Sequence, residues 1–267
     1  MATQKIDNIL WTIVSLEGCL FAVRADEVHT MVLLPELSGL PNMPPHVRGV
    51  INLRGKVMPV IDLRKRLGMQ SCGDEADALC AMLSQREQDH KNWLKELESS
   101  VQERREFKLA TDPHRCAFGK WYDAFKTDKL LLTAALRKFD APHQRIHAIA
   151  HKVLALEQAG NHPASQRLID ETREGTLAEM LRLFASLQAT VHDSLREIAV
   201  VVEAKGQTFV VTVDSVETVG KLVEGSVDDL CGHGIDFREN GLVTAVGKLA
   251  KTNRLVLVLD TASLFTA

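Results

Sequence analysis

The chain has 267 residues, 45% of them apolar and 25% charged, with a net charge of −3. Such a length supports one large or two small hydrophobic cores, the lack of a basic excess argues against nucleic acid as a partner, and no apolar run approaches the roughly 20 residues of a membrane-spanning helix. Residues Met1–Asp7 lack a signal-peptide apolar region, so a cytoplasmic protein without membrane insertion is expected. The five scattered cysteines, Cys19, Cys72, Cys80, Cys116 and Cys231, suit free thiols or a metal ligand better than a disulfide framework.

The first third reads as β-structure. Ile9–Val14 and Leu20–Val23 are β-rich runs around the turn pair Glu17-Gly18. Pro35, Pro41, Pro44 and Pro45 then mark an extended connection that no helix can occupy for long. A second pair, Val47–Leu53 and Val57–Ile61, turns at Arg54-Gly55, where glycine takes a positive φ without cost. Pro59 lacks an amide hydrogen, so that strand is expected to present an edge there. A short helical turn ends at Gly68.

The last third repeats this plan. Glu197–Val202 and Thr208–Val213 flank Lys205-Gly206. Phe21-Ala22-Val23-Arg24-Ala25-Asp26-Glu27-Val28-His29-Thr30 aligns with Phe209-Val210-Val211-Thr212-Val213-Asp214-Ser215-Val216-Glu217-Thr218. Val60-Ile61-Asp62 aligns with Val258-Leu259-Asp260. The outer thirds therefore read as one β unit used twice, each closing into a small barrel that removes its edges.

Between them, from about Asp74 to Leu195, the apolar period changes to about 3.6. Leu83, His90, Trp93, Leu94, Leu97 and Val101 share one helical face. So do His143, Ile146, His147, Ala150, Val153 and Leu154, and likewise Leu177, Met180, Leu181, Phe184, Leu187, Val191 and Leu195. Short connections favour an antiparallel bundle. Asp140-Ala141-Pro142 is a helix start with Asp140 as cap, and Asn161-His162-Pro163 is the next break.

Three histidines, His90, His143 and His147, thus face the bundle interior, where burying them is costly unless something satisfies their nitrogens. Zinc would do so, with Cys116 as fourth donor and the His-x3-His pair filling two adjacent corners of a tetrahedron. Core histidines bonded to backbone carbonyls are the alternative on spacing alone. A metalloprotease is disfavoured because Gln144 stands where the general base would be. A Cys–His nucleophile pair lacks an evident oxyanion donor.

The run Val47-Arg48-Gly49-Val50-Ile51-Asn52-Leu53-Arg54-Gly55-Lys56-Val57-Met58-Pro59-Val60-Ile61-Asp62-Leu63-Arg64 resembles the signature of the CheW family of chemotaxis adaptors. The likeness extends over residues 6–69 and 196–267. It implies two five-stranded barrels, no enzymatic activity, and a scaffold joining a chemoreceptor signalling tip to a CheA-type histidine kinase. It also implies that Arg54, with Gly49 and Val50, lies at a receptor- or kinase-binding groove. Cys116-Ala117-Phe118-Gly119-Lys120-Trp121-Tyr122, with Pro142-His143-x3-His147 and the earlier Asp89-His90, resembles the chemoreceptor zinc-binding (CZB) domain. That likeness implies Zn²⁺ held by His90, Cys116, His143 and His147, with Cys116 the redox-sensitive donor toward oxidants such as hypochlorous acid. His114 and His151 fall outside the ligand positions.

The expected architecture is an α+β multidomain chain: a CheW-like pair of small antiparallel β-barrels (residues 1–70 and 196–267) with an inserted all-α bundle (71–195). The expected function is a chemotaxis adaptor modulated by zinc level or oxidants. A zinc-dependent enzyme with a β accessory domain, and a purely structural zinc bundle in a constitutive adaptor, are the other readings. The bundle is also a candidate for homo-oligomer formation.

Overall fold

A computed structural model describes residues 9–224 and 241–265; Cys231 lies outside the described residues. The chain divides into two compact units, residues 1–74 with 195–267, and residues 75–194.

Among the described residues the first unit holds ten strands: β1 (Leu10–Leu16), β2 (Cys19–Arg24), β3 (Val28–Leu33), β4 (Val47–Leu53), β5 (Lys56–Asp62), β6 (Ile198–Ala204), β7 (Gln207–Val213), β8 (Ser215–Glu224), β9 (Val243–Leu249) and β10 (Leu255–Leu259). Three hairpins turn where the sequence places them. Each turn pairs a residue at φ near +50° with a glycine near +80°: Glu17 (48°) with Gly18 (80°), Arg54 (54°) with Gly55 (82°), and Lys205 (51°) with Gly206 (76°). Two successive positive φ angles define the type I′ turn, whose twist matches that of the strands it joins.

The strands do not assemble one third at a time, as the repeat suggests. One sheet is a closed barrel in the order β1-β2-β10-β9-β8; the other runs β3-β6-β7-β5-β4. Each hairpin of one repeat is therefore completed by three strands of the other. Two of the four seams between the repeats are parallel and sit at equivalent positions, Val258 against Ala22 and Val60 against Val210; the other two, β1–β8 and β3–β6, are antiparallel. The irregularities are shared as well. His29 and Glu217 are skipped in the β3–β6 and β8–β1 registers. Asp62 and Asp260 each cap a short helix, α1 (Leu63–Arg66) and the last helix (Thr261–Leu264). Alternating apolar side chains bury one face of any strand but do not choose its neighbour, which is why the exchange is invisible in the pattern.

Closure also differs from the expectation of two barrels. Strands β8 and β9 pair, whereas β3 and β4 share no ladder among the described residues. The proline-rich segment spans that gap: Leu34 N–H donates to Glu197 O (2.9 Å), and Ser38 and Val50 exchange two backbone bonds (2.9 Å each). Gly49 makes this approach feasible. Its φ is +136°, and a Cβ there would lie 2.2 Å from Ser38 O. Pro59 is not on an edge, because β5 lies between β4 and β7. Its partner Val50 turns both backbone groups toward Ser38, so the Val50–Pro59 pair needs no amide hydrogen. On the other side the ladder to β7 begins only at Val60.

The second unit is helical: α2 (Cys72–Gln102, whose first residues still belong to the first unit), α3 (Ala117–Ala124), α4 (Leu130–Arg137), α5 (Asp140–Gln158), α6 (His162–Thr172), and α7 (Ala178–Ser194), the last helix being α8 (Thr261–Leu264) back in the β unit. A five-residue π turn, Arg173–Leu177, joins α6 to α7. Asn161 caps α6 by accepting from Ala164 N–H. Asp140 does not cap α5. The preceding residue, Phe139, is already helical, and the Asp140 carboxylate instead accepts from Tyr122 Oη–H. The three expected apolar stripes form the core: Leu83, Trp93, Leu97, Ile146, Val153, Phe184 and Val191 are at most 5% exposed.

Arg64, only 4% exposed, anchors the start of α2. Its guanidinium donates to Asp214 through Nε (2.7 Å) and Nη2, and through Nη1 to Glu17 Oε1 (3.0 Å). Asp214 also accepts from Glu17 N–H (2.7 Å) and from the Cys72 thiol (3.3 Å). Burial and the Asp214 carboxylate push the Cys72 thiol well above its ordinary range, so it stays protonated and donates. Replacing Arg64 by Met should strand a buried carboxylate and destabilise the β unit by about 3 kcal/mol, roughly 10 °C in Tm. A calorimetric melt within about 2 °C of wild type would refute this account.

Candidate metal centre

His90, Cys116, His143 and His147 come together in the helical unit, with one donor atom of each within 4.8 Å of all the others. Helix α2 supplies His90, and two adjacent turns of α5 supply His143 and His147. All three imidazoles are buried, at 3%, 6% and 0% exposure. Their rings meet edge to face, with centroids 4.9 Å (His143–His147) and 5.2 Å (His90–His143) apart.

Cys116 is held by the start of α3. It is the N-cap, and its Sγ accepts from Gly119 N–H (3.2 Å). A helix N-terminus favours the thiolate. In the metal-free protein burial dominates and pushes the thiol up. Gly119 is needed for a separate reason. A Cβ at that position would lie 1.8 Å from Pro113 O, so the loop carrying Asp112 and Pro113 closes over α3 only if residue 119 has no side chain.

Hydrogen bonds decide which nitrogen each imidazole presents. His90 Nδ1 bonds Arg86 O (2.7 Å), and His147 Nδ1 bonds Ala110 O (3.0 Å). A carbonyl only accepts, so both Nδ1 atoms carry the proton and both Nε2 atoms bear a lone pair. Those two Nε2 atoms are buried without a hydrogen-bond partner. His143 Nε2 lies 3.2 Å from Cys116 Sγ. Desolvation, with the neighbouring imidazoles, holds His143 down to about 3 and His147 to about 4, and burial also lowers His90. All three are thus neutral near pH 7, the form that ligates metal.

A carbonyl satisfies only the Nδ1–H, so histidines kept for packing alone would still need a donor at each Nε2, and neither Nε2 has a hydrogen-bond partner. Two buried lone pairs aimed at one point beside a thiol fit a soft-to-borderline cation, and tetrahedral zinc would place the donors about 3.3–3.6 Å apart. Shifts of about 1 Å close the arrangement from the present spacing. His114 is exposed and bonded to Asp123 (2.9 Å), and His151 is exposed; neither faces the cluster.

The other residues singled out in the sequence lie in the β unit. Arg54 is an exposed turn residue, Val50 is half-buried opposite Pro59, and Gly49 is the close-approach glycine described above. Sequence reasoning missed the carbonyls of Arg86 and Ala110, which set the imidazole tautomers and leave no trace in side-chain identity. It also missed Trp93, whose Nε1–H shares Ala110 O with His147 (2.8 Å).

Comparison with known proteins agrees with this architecture. The profile of the CheW-like domain matches residues 11–90 and 175–267, and that of the chemoreceptor zinc-binding domain matches residues 90–154, a span containing all four donors. The chain belongs to the CheW-like domain family, split around a zinc-binding insertion. It is similar to the chemotaxis protein CheW of Bacillus subtilis (41% identity over 54 residues, 20% of this chain and 35% of that protein). It is also similar to a probable chemotaxis protein CheW of Rhizobium etli (54% over 33 residues, 12% of this chain and 21% of that protein). These matches span only about a third or less of those relatives. A solved structure, the scaffolding protein TtCheW from Thermoanaerobacter tengcongensis, superposes with a TM-score of 0.43 at 15% identity, covering 100% of this chain and 94% of that chain. No helix among the described residues is long and apolar enough to cross a membrane.

Gly119→Ala should force the Pro113 loop off α3 and destabilise the helical unit by about 1–3 kcal/mol. The loss should be larger in zinc than in chelator, because the displaced loop carries Cys116 away from the histidines. Equal losses in thermal melts under both conditions would separate Gly119 from the metal site.

Proposed function

We propose that this chain is a non-enzymatic, cytoplasmic chemotaxis adaptor that joins chemoreceptor signalling tips to a CheA-type histidine kinase, with its scaffold activity modulated by zinc bound to His90, Cys116, His143 and His147. The supporting observation is the pair of orphaned imidazole lone pairs facing a thiol, in a bundle inserted into a CheW-like domain. Zinc would cross-link α2, α5 and the start of α3, and would hold Cys116 as thiolate. Residues 71–195 act as the inserted sensing domain, and the exposed Arg54 turn, with Gly49 and Val50, belongs to the partner-binding surface.

Helix α2 supports the coupling. It runs unbroken from Cys72, bonded to the Arg64–Asp214 pair, to the turn bearing His90. A change in how His90 is held would thus act on the helix whose first residues belong to the β unit. Cys116 is the donor open to oxidants, since thiolates react where imidazoles do not. Hypochlorous acid would transfer its oxygen to the thiolate, giving sulfenic acid and chloride and removing one of four donors.

Two measurements test this reading. The purified chain should contain about one zinc, and Cys116→Ala should weaken binding more than about 100-fold. Stoichiometric hypochlorous acid should release that zinc from wild type, and retention of zinc with Cys116 still reduced would sink the oxidant role. Separately, immobilised chain should capture a CheA-type kinase and a receptor tip, and Arg54→Ala should weaken capture. Capture of neither would remove the adaptor reading.

A further inference from the structure

A cavity of about 350 Å³ abuts the donor cluster. Of the four donors, His90, Cys116 and His147 line it, and His143 does not. Trp93 and Phe118 form buried walls, while Asn92 and Ala117 are exposed, so the space reaches from the donors to the surface. Its volume lies at the lower end of the range for small-molecule pockets, roughly 300–1,000 Å³.

We propose that this cavity is the path by which metal is exchanged, and that a small soft-donor ligand, of the thiolate or heteroaromatic-nitrogen class, enters it to take a fifth position on the metal. The inference rests on the zinc reading above. Three of the four donors form the cluster face that lines the cavity. An incoming donor would approach the cluster past His90, Cys116 and His147. Zinc accepts five ligands in passing, so exchange through such a face requires no opening of the helices. Charge does not select the ligand. Asp89 lines the cavity but is paired with Arg86 (3.3 Å). Selection falls to size and to the apolar walls.

The test follows zinc leaving the loaded full-length protein for the heteroaromatic chelator 4-(2-pyridylazo)resorcinol, read by absorbance. The release rate should rise in proportion to chelator concentration. Ala117→Phe and Asn92→Phe fill the cavity from α3 and α2 without touching a donor. Each should slow release at least about tenfold while leaving zinc stoichiometry unchanged. A wild-type rate independent of chelator concentration would mean that the bundle opens first, and would overturn the proposal. So would unchanged rates in both variants, provided circular dichroism shows them folded. A wild-type protein that holds no zinc at all would instead remove the zinc reading on which the test depends.

Discussion

Four seams between the repeats hold the β unit together, two antiparallel (β1–β8, β3–β6) and two parallel, and the rest of the chain has to accommodate them. Val60 against Val210 and Val258 against Ala22 tie each repeat to the other, with the whole helical insertion lying between the paired strands in sequence. Neither hairpin can complete its sheet from its own side of the insertion. The inserted segment must therefore return the chain close to where it left. An antiparallel helical bundle does this with short connections, whereas an extended insertion would add loop entropy to every long-range pairing. The Arg64–Asp214–Glu17 network serves the same constraint locally. It joins the β1–β2 turn, the end of β7 and the first residue of α2, so the point of departure is among the most tightly bonded places in the unit.

The metal centre follows a different logic. A protein interior tolerates polar atoms when they are paired, and here the pairing is deliberately incomplete. Each Nδ1 of His90 and His147 has its carbonyl; each Nε2 has nothing. Closing one side of an imidazole is what defines the chemistry of the other. On the zinc reading, the residues that cost stability without a cation would cross-link the bundle with one. A cation bound there would add its binding free energy to the stability of the bundle.

Much of this was readable in the sequence, and the gaps have physical reasons. Glu17-Gly18, Arg54-Gly55 and Lys205-Gly206 reveal their turns because glycine accepts a positive φ at no steric cost. His143 and His147 reveal a shared face because the helix repeat leaves no alternative. Strand exchange could not be read, since alternation specifies faces rather than neighbours. Pro59 misleads because a proline can hide in an interior strand at a pair that needs no donor. Asp140 misleads because α5 grows out of a turn that is already helical at Phe139. Arg64 and Asp214, 150 residues apart, carry no local sign of their pairing.

The carbonyl of Ala110 accepts from both Trp93 and His147. When a cation engages His147 Nε2, it draws electron density from the ring and strengthens the Nδ1–H bond to that same oxygen. The indole then competes for a weaker acceptor, with its ring centroid 5.0 Å from the imidazole. Trp93 would thereby report occupancy of the site through its emission, with no label attached, over the constant signal of the other buried indole, Trp11 in the β unit.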